Sequence, residues 1–135
     1  MNIPTIISDL TVKVYYEDTD AAGIVYHSKY LNFAERARTE FLKNIGCYQS
    51  TMRKKNKIRF VVKNLKIAYK GYAILDDCLK VTTSIKFINK AKIIFIQKIL
   101  KESRILTNIE VIVCCIKENG TVARMPNELY YKIIN

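Results

Sequence analysis

The chain is poor in the residues that announce metal and redox chemistry. It has a single histidine, His27, and four cysteines, Cys47, Cys78 and the adjacent pair Cys114-Cys115. Neither a C-x-x-C pair nor the paired spacing of a zinc site occurs, so no metal is expected, and the cysteines read as small core residues in a reducing compartment. No apolar run is long enough to cross a bilayer. The start, Met1-Asn2-Ile3-Pro4-Thr5, lacks the basic-then-apolar order of a secretory signal, which points to the cytoplasm. Repeats, low-complexity tracts and interdomain linkers are also missing, so residues 1–135 read as one domain. Half of the residues are apolar, enough for a single core without disulfides.

What is abundant is positive charge: 23 Lys and Arg against 12 Asp and Glu, a net +11. Such a charge steers phosphate-bearing ligands, anionic lipid or nucleic acid toward the surface. The basic residues are scattered, with Arg53-Lys54-Lys55 the one tight cluster, and no aromatic-and-basic signature of an RNA-binding module is present. Nucleic acid is therefore not expected as a partner.

Thr11 to Glu17 is β-rich and partly alternating, with Val12 and Val14 on one face, and predicts a first strand. Tyr30, Phe33, Ala34, Ala37, Phe41 and Ile45 then recur at steps of three and four. They predict an amphipathic helix over 29–45, roughly 25 Å long, closed by Gly46. Gln49 to Asn56 allows one or two further helical turns. Strands are predicted over Phe60–Tyr69, Leu79–Phe87, Ile93–Leu100 and Ile105–Ile116, with Leu79, Val81, Ile85 and Phe87 facing inward. Asn119-Gly120 signals a hairpin, and Pro126–Asn135 could add a strand or a helix. A strand, one long helix and a run of antiparallel strands make an α+β pattern, the hot-dog arrangement of one central helix wrapped by a five- to six-stranded sheet. One helix covers little of such a sheet, so a second copy is expected to bury what remains, as a homodimer or homotetramer.

Three carboxylates, the histidine and a glycine crowd into Glu17-Asp18-Thr19-Asp20-Ala21-Ala22-Gly23-Ile24-Val25-Tyr26-His27, between a strand end and a helix start. Free N–H groups at a helix N-terminus can polarise a carbonyl while a carboxylate attacks it or activates water, which suits acyl transfer. A calcium loop fails on spacing. Asp18, Asp20 and Gly23 match its first, third and sixth positions, but Ala22 and Lys29 fall where oxygen ligands are needed. A serine hydrolase fails because there is no G-x-S-x-G elbow and Ser28 directly follows His27. Asp18 reads as a turn cap. His27 fits a satisfied core role, a surface role or chemistry equally well, and Tyr15, Tyr16 and Tyr26 read as core or pocket wall. Glu17 and Asp18 are expected on opposite sides of the strand end, leaving Asp20 alone in the pocket.

The run from Val14 to Phe41, Val-Tyr-Tyr-Glu-Asp-Thr-Asp-Ala-Ala-Gly-Ile-Val-Tyr-His and onward, resembles the YbgC-type branch of the 4-hydroxybenzoyl-CoA thioesterase family, which is associated with the Tol-Pal envelope system. The likeness continues through Phe60-Val61-Val62, Leu75-Asp76-Asp77 and Phe95-Ile96-Gln97 to Glu110-Val111. It implies hydrolysis of an acyl-CoA thioester without a cofactor, Asp20 acting as nucleophile or as general base toward water. It also implies that the backbone N–H of His27 meets the thioester carbonyl and that Gly23 permits the turn before it. Tyr26 would line the substrate site, with Lys90 and Lys92 as cations for the CoA phosphates and acyl carrier protein as an alternative carrier. The segment departs from close relatives at Ala21, which could alter pocket width. A dehydratase would instead need His27 paired with a carboxylate, and a non-catalytic adaptor would use the basic surface for envelope proteins or lipid.

Overall fold

The computed structural model of the chain describes residues 7–134, so the Met1–Thr5 reading and Asn135 lie outside the described residues. The elements are β1 (Ser8–Lys13), a 3-10 turn (Tyr16–Asp18), α1 (Lys29–Asn44), α2 (Gln49–Asn56), β2 (Ile58–Tyr69), β3 (Cys78–Ile88), β4 (Lys92–Lys101), β5 (Arg104–Lys117), β6 (Val122–Ala123) and α3 (Asn127–Ile134). The strands form one antiparallel sheet in the order β1-β3-β4-β5-β2, and β6 continues alongside the end of β5 where β4 has run out. This is the hot-dog arrangement, six-stranded, with α1 packed on β1, β3 and β4.

The apolar spacing of α1 accounts for this packing. Tyr30, Phe33, Ala34, Ala37, Phe41 and Leu42 are all buried, and Phe41 meets Phe95 of β4 edge-on at 5.7 Å. Burying each large side chain contributes roughly 1.5–3 kcal/mol, so this stripe fixes which face of the helix meets the sheet. The helix ends where Gly46 takes φ +84°, a conformation that lets the Cys47 N–H donate back to the Leu42 carbonyl at 2.8 Å. The C-terminal segment forms a helix because Leu129, Tyr130 and Ile133 recur at helical spacing and are buried together.

Three expectations are corrected. The first strand stops at Lys13, and Tyr15 to Glu17 do not continue it. The Asp18 carboxylate accepts the Tyr15 N–H at 2.9 Å, and the Tyr16 carbonyl accepts both the N–H and the hydroxyl of Thr19. These local bonds outcompete a ladder and wind the backbone into a turn; Tyr15, Tyr16 and Tyr26 are all exposed and none joins the core, while Tyr16 forms a pocket wall beside Asp20 as the other reading had it. Phe87 does not face inward: a bulge between Ile85 and Phe87 reverses the alternation, so Phe87 is 41% exposed and Ile88 takes the inward place. Cys78, at the start of β3, is exposed, whereas Cys47 and Cys115 are buried free thiols and burial pushes Cys115 up to about 12.

The loop between β2 and β3 braces the segment that precedes α1. The Val25 N–H donates to the Ala73 carbonyl at 2.9 Å, and Ile24 bridges Ile74. Asp77 anchors this loop by accepting the Ile74 N–H and pairing with Lys101, both at 2.9 Å. Burial pushes the Asp77 carboxyl up, but the N–H and the ammonium outweigh it and hold it below the usual carboxylate range.

Candidate active site

The segment from Thr19 to Val25 folds back on itself. Thr19 bridges Val25, the Asp20 N–H donates to the Ile24 carbonyl and the Gly23 N–H donates to the Asp20 carbonyl, both at 2.9 Å. Gly23 turns this corner at φ +81°, where a side chain would strain the backbone although nothing stands in its way. The resulting concavity is lined by Tyr16, Thr19, Asp20, Ala21, Gly23 and Leu75, and Asp20 is its one carboxylate.

Asp20 is half-buried there. Its Oδ1 accepts the Ala22 N–H at 2.8 Å, which fixes the carboxylate plane. Oδ2 has no partner among the described residues. The neighbouring carboxylates are elsewhere: Glu17 is exposed, while Asp18 is buried, caps Tyr15 and lies 4.0 Å from the Lys29 ammonium. Asp18 is thus a cap, and the separation of the two is made by a turn instead of by the sides of a strand.

His27 sits just ahead of α1, one residue before the Ser28 N-cap. Its ring is exposed, lies 4.3 Å from the Tyr26 ring and meets no carboxylate among the described residues, so the pair a dehydratase needs is not formed. No acceptor among the described residues takes the His27 N–H. Tyr26 uses its own N–H on the Asp18 carbonyl at 2.9 Å. The peptide after His27 is held from a distance: the Tyr69 hydroxyl, at the end of β2, donates to the His27 carbonyl at 2.7 Å. Tyr30 completes this brace, its hydroxyl accepting the Ala73 N–H at 3.0 Å and its ring meeting Tyr69 edge-on at 5.8 Å. Neither tyrosine was legible as a site residue, because the bonds join positions more than forty residues apart.

Asp20, Gly23, Tyr26 and His27 therefore share one loop. Lys90 and Lys92 do not join them within this chain. They follow the far end of β3, whose first residue pairs with Lys13, and its 11 residues span roughly 35 Å at about 3.3 Å each. There, Lys90 lies over the Tyr130 ring and Lys92 over the Phe87 ring. Among the described residues no cluster of His, Cys, Asp and Glu could hold a metal ion, and no helix is long and apolar enough to cross a membrane.

The family described as the thioesterase-like superfamily matches residues 14–133. The acyl-CoA thioesterase YbgC of Haemophilus influenzae is 45% identical over 105 residues, covering 78% of this chain and 77% of its own. The acyl-CoA thioester hydrolase YbgC of Escherichia coli O6:H1 is 41% identical over 106 residues, covering 78% of each. Among solved structures, a probable thioesterase from Bartonella henselae superposes with a TM-score of 0.87 at 32% identity, covering 90% of this chain and all of that one (100%).

Proposed function

The chain belongs to the thioesterase-like superfamily and is an acyl-CoA thioester hydrolase, and from that premise we propose that Asp20 is the carboxylate that carries the reaction. The observation behind this reading is a half-buried carboxylate with Oδ1 held by the Ala22 N–H and, among the described residues, no partner on Oδ2, on the same loop as an N–H that none of those residues accepts. As nucleophile, Oδ2 adds to the thioester carbon, the C–S bond breaks to release CoA thiolate, and water then cleaves the mixed anhydride. As general base, Asp20 takes a proton from the attacking water. In both routes the carbonyl oxygen gains charge, and the His27 N–H, just ahead of α1, is the donor assigned to stabilise it. Gly23 sets the turn, and Tyr26, which follows on the same loop without lining the concavity, is the side chain assigned to the substrate side. Release of CoA thiol from short, long and aromatic acyl-CoA esters by wild type and Asp20→Asn tests this; an Asp20→Asn enzyme with full turnover would sink it.

Tyr69 holds the His27–Ser28 peptide, the neighbour of the one that carries the His27 N–H. Tyr69→Phe removes one hydrogen bond, worth about 1 kcal/mol, and is expected to lower kcat several-fold with KM little changed. Equal loss in stability and none in kcat would make the bond merely structural.

The working unit is a homodimer, which also gives Lys90 and Lys92 a role. Among the described residues β2 pairs only with β5, and none of them pairs with the other edge of this 12-residue strand. Two such edges paired antiparallel set the Ile58 end of one strand beside the Tyr69 end of the other. Lys92 pairs with Cys114, which pairs with Val61, so both lysines belong to the Ile58 end. The partner subunit's Lys90 and the partner's Lys92 thereby approach the loop of Asp20 as cations for the CoA phosphates. Lys90→Ala with Lys92→Ala is expected to raise KM for acyl-CoA at least several-fold at unchanged kcat, in a protein that sediments at twice the chain mass. A monomer with full activity would overturn the arrangement. A tetramer of such dimers and acyl carrier protein as the carrier are further outcomes of the same measurements. The free thiols suit a cytoplasmic setting, and the likeness to YbgC proteins suggests service to the Tol-Pal envelope system.

A further inference from the structure

The loop between β2 and β3 carries a charge pair that the reaction does not use. Ala73 to Asp77 leads from the end of β2 to the start of β3, and a different neighbour holds it at each step. The Tyr30 hydroxyl of α1 accepts the Ala73 N–H at 3.0 Å. Val14, just past β1, donates its N–H to the Asp77 carbonyl at 2.9 Å and accepts the Asp76 N–H at 3.1 Å. The Asp77 side chain does two things at once. Its Oδ2 accepts the Ile74 N–H at 2.9 Å, and its Oδ1 pairs with the ammonium of Lys101, at the end of β4, also at 2.9 Å. The Asp77 N–H returns to the Ile74 carbonyl at 3.1 Å, so Ile74 is gripped on both sides of its backbone.

What this loop grips in turn is the segment of Asp20. Ile74 bridges Ile24, and the Ile24 carbonyl accepts the Asp20 N–H at 2.9 Å. The path from the Asp77 carboxylate to the Asp20 peptide therefore passes through only two residues, Ile74 and Ile24. Leu75, carried by the same loop, lines the Asp20 concavity, and Tyr16 of that lining follows two residues after Val14. The Asp77 side chain is 12% exposed, so its pair with Lys101 is screened less by solvent and salt than a surface pair.

We propose that Asp77, clamped by Lys101, is a positioning residue for Asp20: it fixes Ile74 and, through the bridge to Ile24, sets where the Asp20 carboxylate stands in the concavity. This rests on the reading of Asp20 as the reacting group. A displacement of about 1 Å at such a group costs roughly a hundredfold in rate, so a loosened loop is expected to act on turnover before it acts on binding. Contiguity alone is not coupling, and the test therefore measures the coupling itself.

That test is a double-mutant cycle on acyl-CoA hydrolysis with wild type, Asp77→Asn, Asp20→Asn and the double variant, with Lys101→Met beside it. Asp77→Asn keeps an oxygen for the Ile74 N–H and loses the charge that Lys101 pairs with; Lys101→Met breaks the pair from the other side. Each is expected to lower kcat about tenfold with KM changed by less than about twofold. In the Asp20→Asn background, Asp77→Asn should lower the residual turnover by less than about twofold, because the carboxylate whose place it sets is gone. Amide hydrogen exchange gives a second readout: the Asp20 and Val25 amides should exchange about tenfold faster in Asp77→Ala, with amides in the middle of β4 unchanged. Where Asp77→Ala fails to fold, Asp77→Asn and Lys101→Met carry that measurement. Equal losses from Asp77→Asn in both backgrounds, a loss confined to KM, or Asp20 and Val25 amides that exchange as in wild type would overturn the proposal. Asp77→Asn without effect beside an inactive Asp20→Asn overturns it alone, whereas Asp20→Asn with full turnover refutes the reaction and this role with it.

Discussion

Asp20→Asn is expected to lower kcat by roughly a thousandfold, equivalent to about 4 kcal/mol of lost transition-state stabilisation. The substitution is chosen for what it preserves. An amide oxygen can still accept the Ala22 N–H that Oδ1 accepts at 2.8 Å, so the turn through Gly23 keeps its shape. What disappears is the negative charge and the nucleophilic or basic oxygen on the open side of the group. Turnover should fall while KM and thermal stability stay near wild type, because the side chain is half-buried and carries no ion pair among the described residues. A similar loss of stability would mean that Asp20 holds the loop together instead of acting on substrate. Single-turnover hydrolysis in ¹⁸O-water tests the nucleophilic route: label in the Asp20 carboxylate marks attack by the side chain, whereas label confined to the product acid marks water adding at the acyl carbon, of the thioester or of the anhydride.

Much of this loop was legible because its evidence is local. Three carboxylates, a glycine and a histidine between a strand and a helix are visible in eleven consecutive letters, and the helix that follows declares itself through a regular apolar stripe. β3 was equally plain from its period of two. Errors arose where one local bond decides the path. Tyr15 to Glu17 alternate as a strand would, yet Asp18 captures the Tyr15 N–H. Phe87 sits in phase with Val81 and Ile85, yet one bulged residue sends it outward. Bonds that cross the chain leave no such trace. Tyr69 reaches His27 over 42 residues and Arg38 reaches Gln97 over 59. Gln97 did leave a signal, since it falls in phase with the inward Ile93, Phe95 and Ile99 of β4, and a lone amide among core positions asks for partners.

Gln97 should therefore carry a large structural effect: Gln97→Leu is expected to destabilise the protein by about 2–4 kcal/mol, lowering Tm by roughly 10 °C. Leucine suits the apolar neighbours, so the cost comes from the partners left behind. The buried Thr83 hydroxyl loses its donor, and Arg38 loses the acceptor that orients it. Ala34 keeps its helical hydrogen bond, so its share is the smallest. Gln97→Glu sets a stricter test. It brings a carboxylate to Arg38, but it also turns an acceptor toward the Ala34 carbonyl, where Gln97 donates at 2.8 Å. If the charge pair governed this site the Glu variant would be the more stable; if complete hydrogen bonding governs it, both variants fall below wild type. The second outcome is expected, because the amide is the one side chain of this size that can donate twice to helix and sheet while accepting from Arg38. A Gln97→Leu protein within about 0.5 kcal/mol of wild type would show that the tie between α1, β3 and β4 is carried by apolar packing alone.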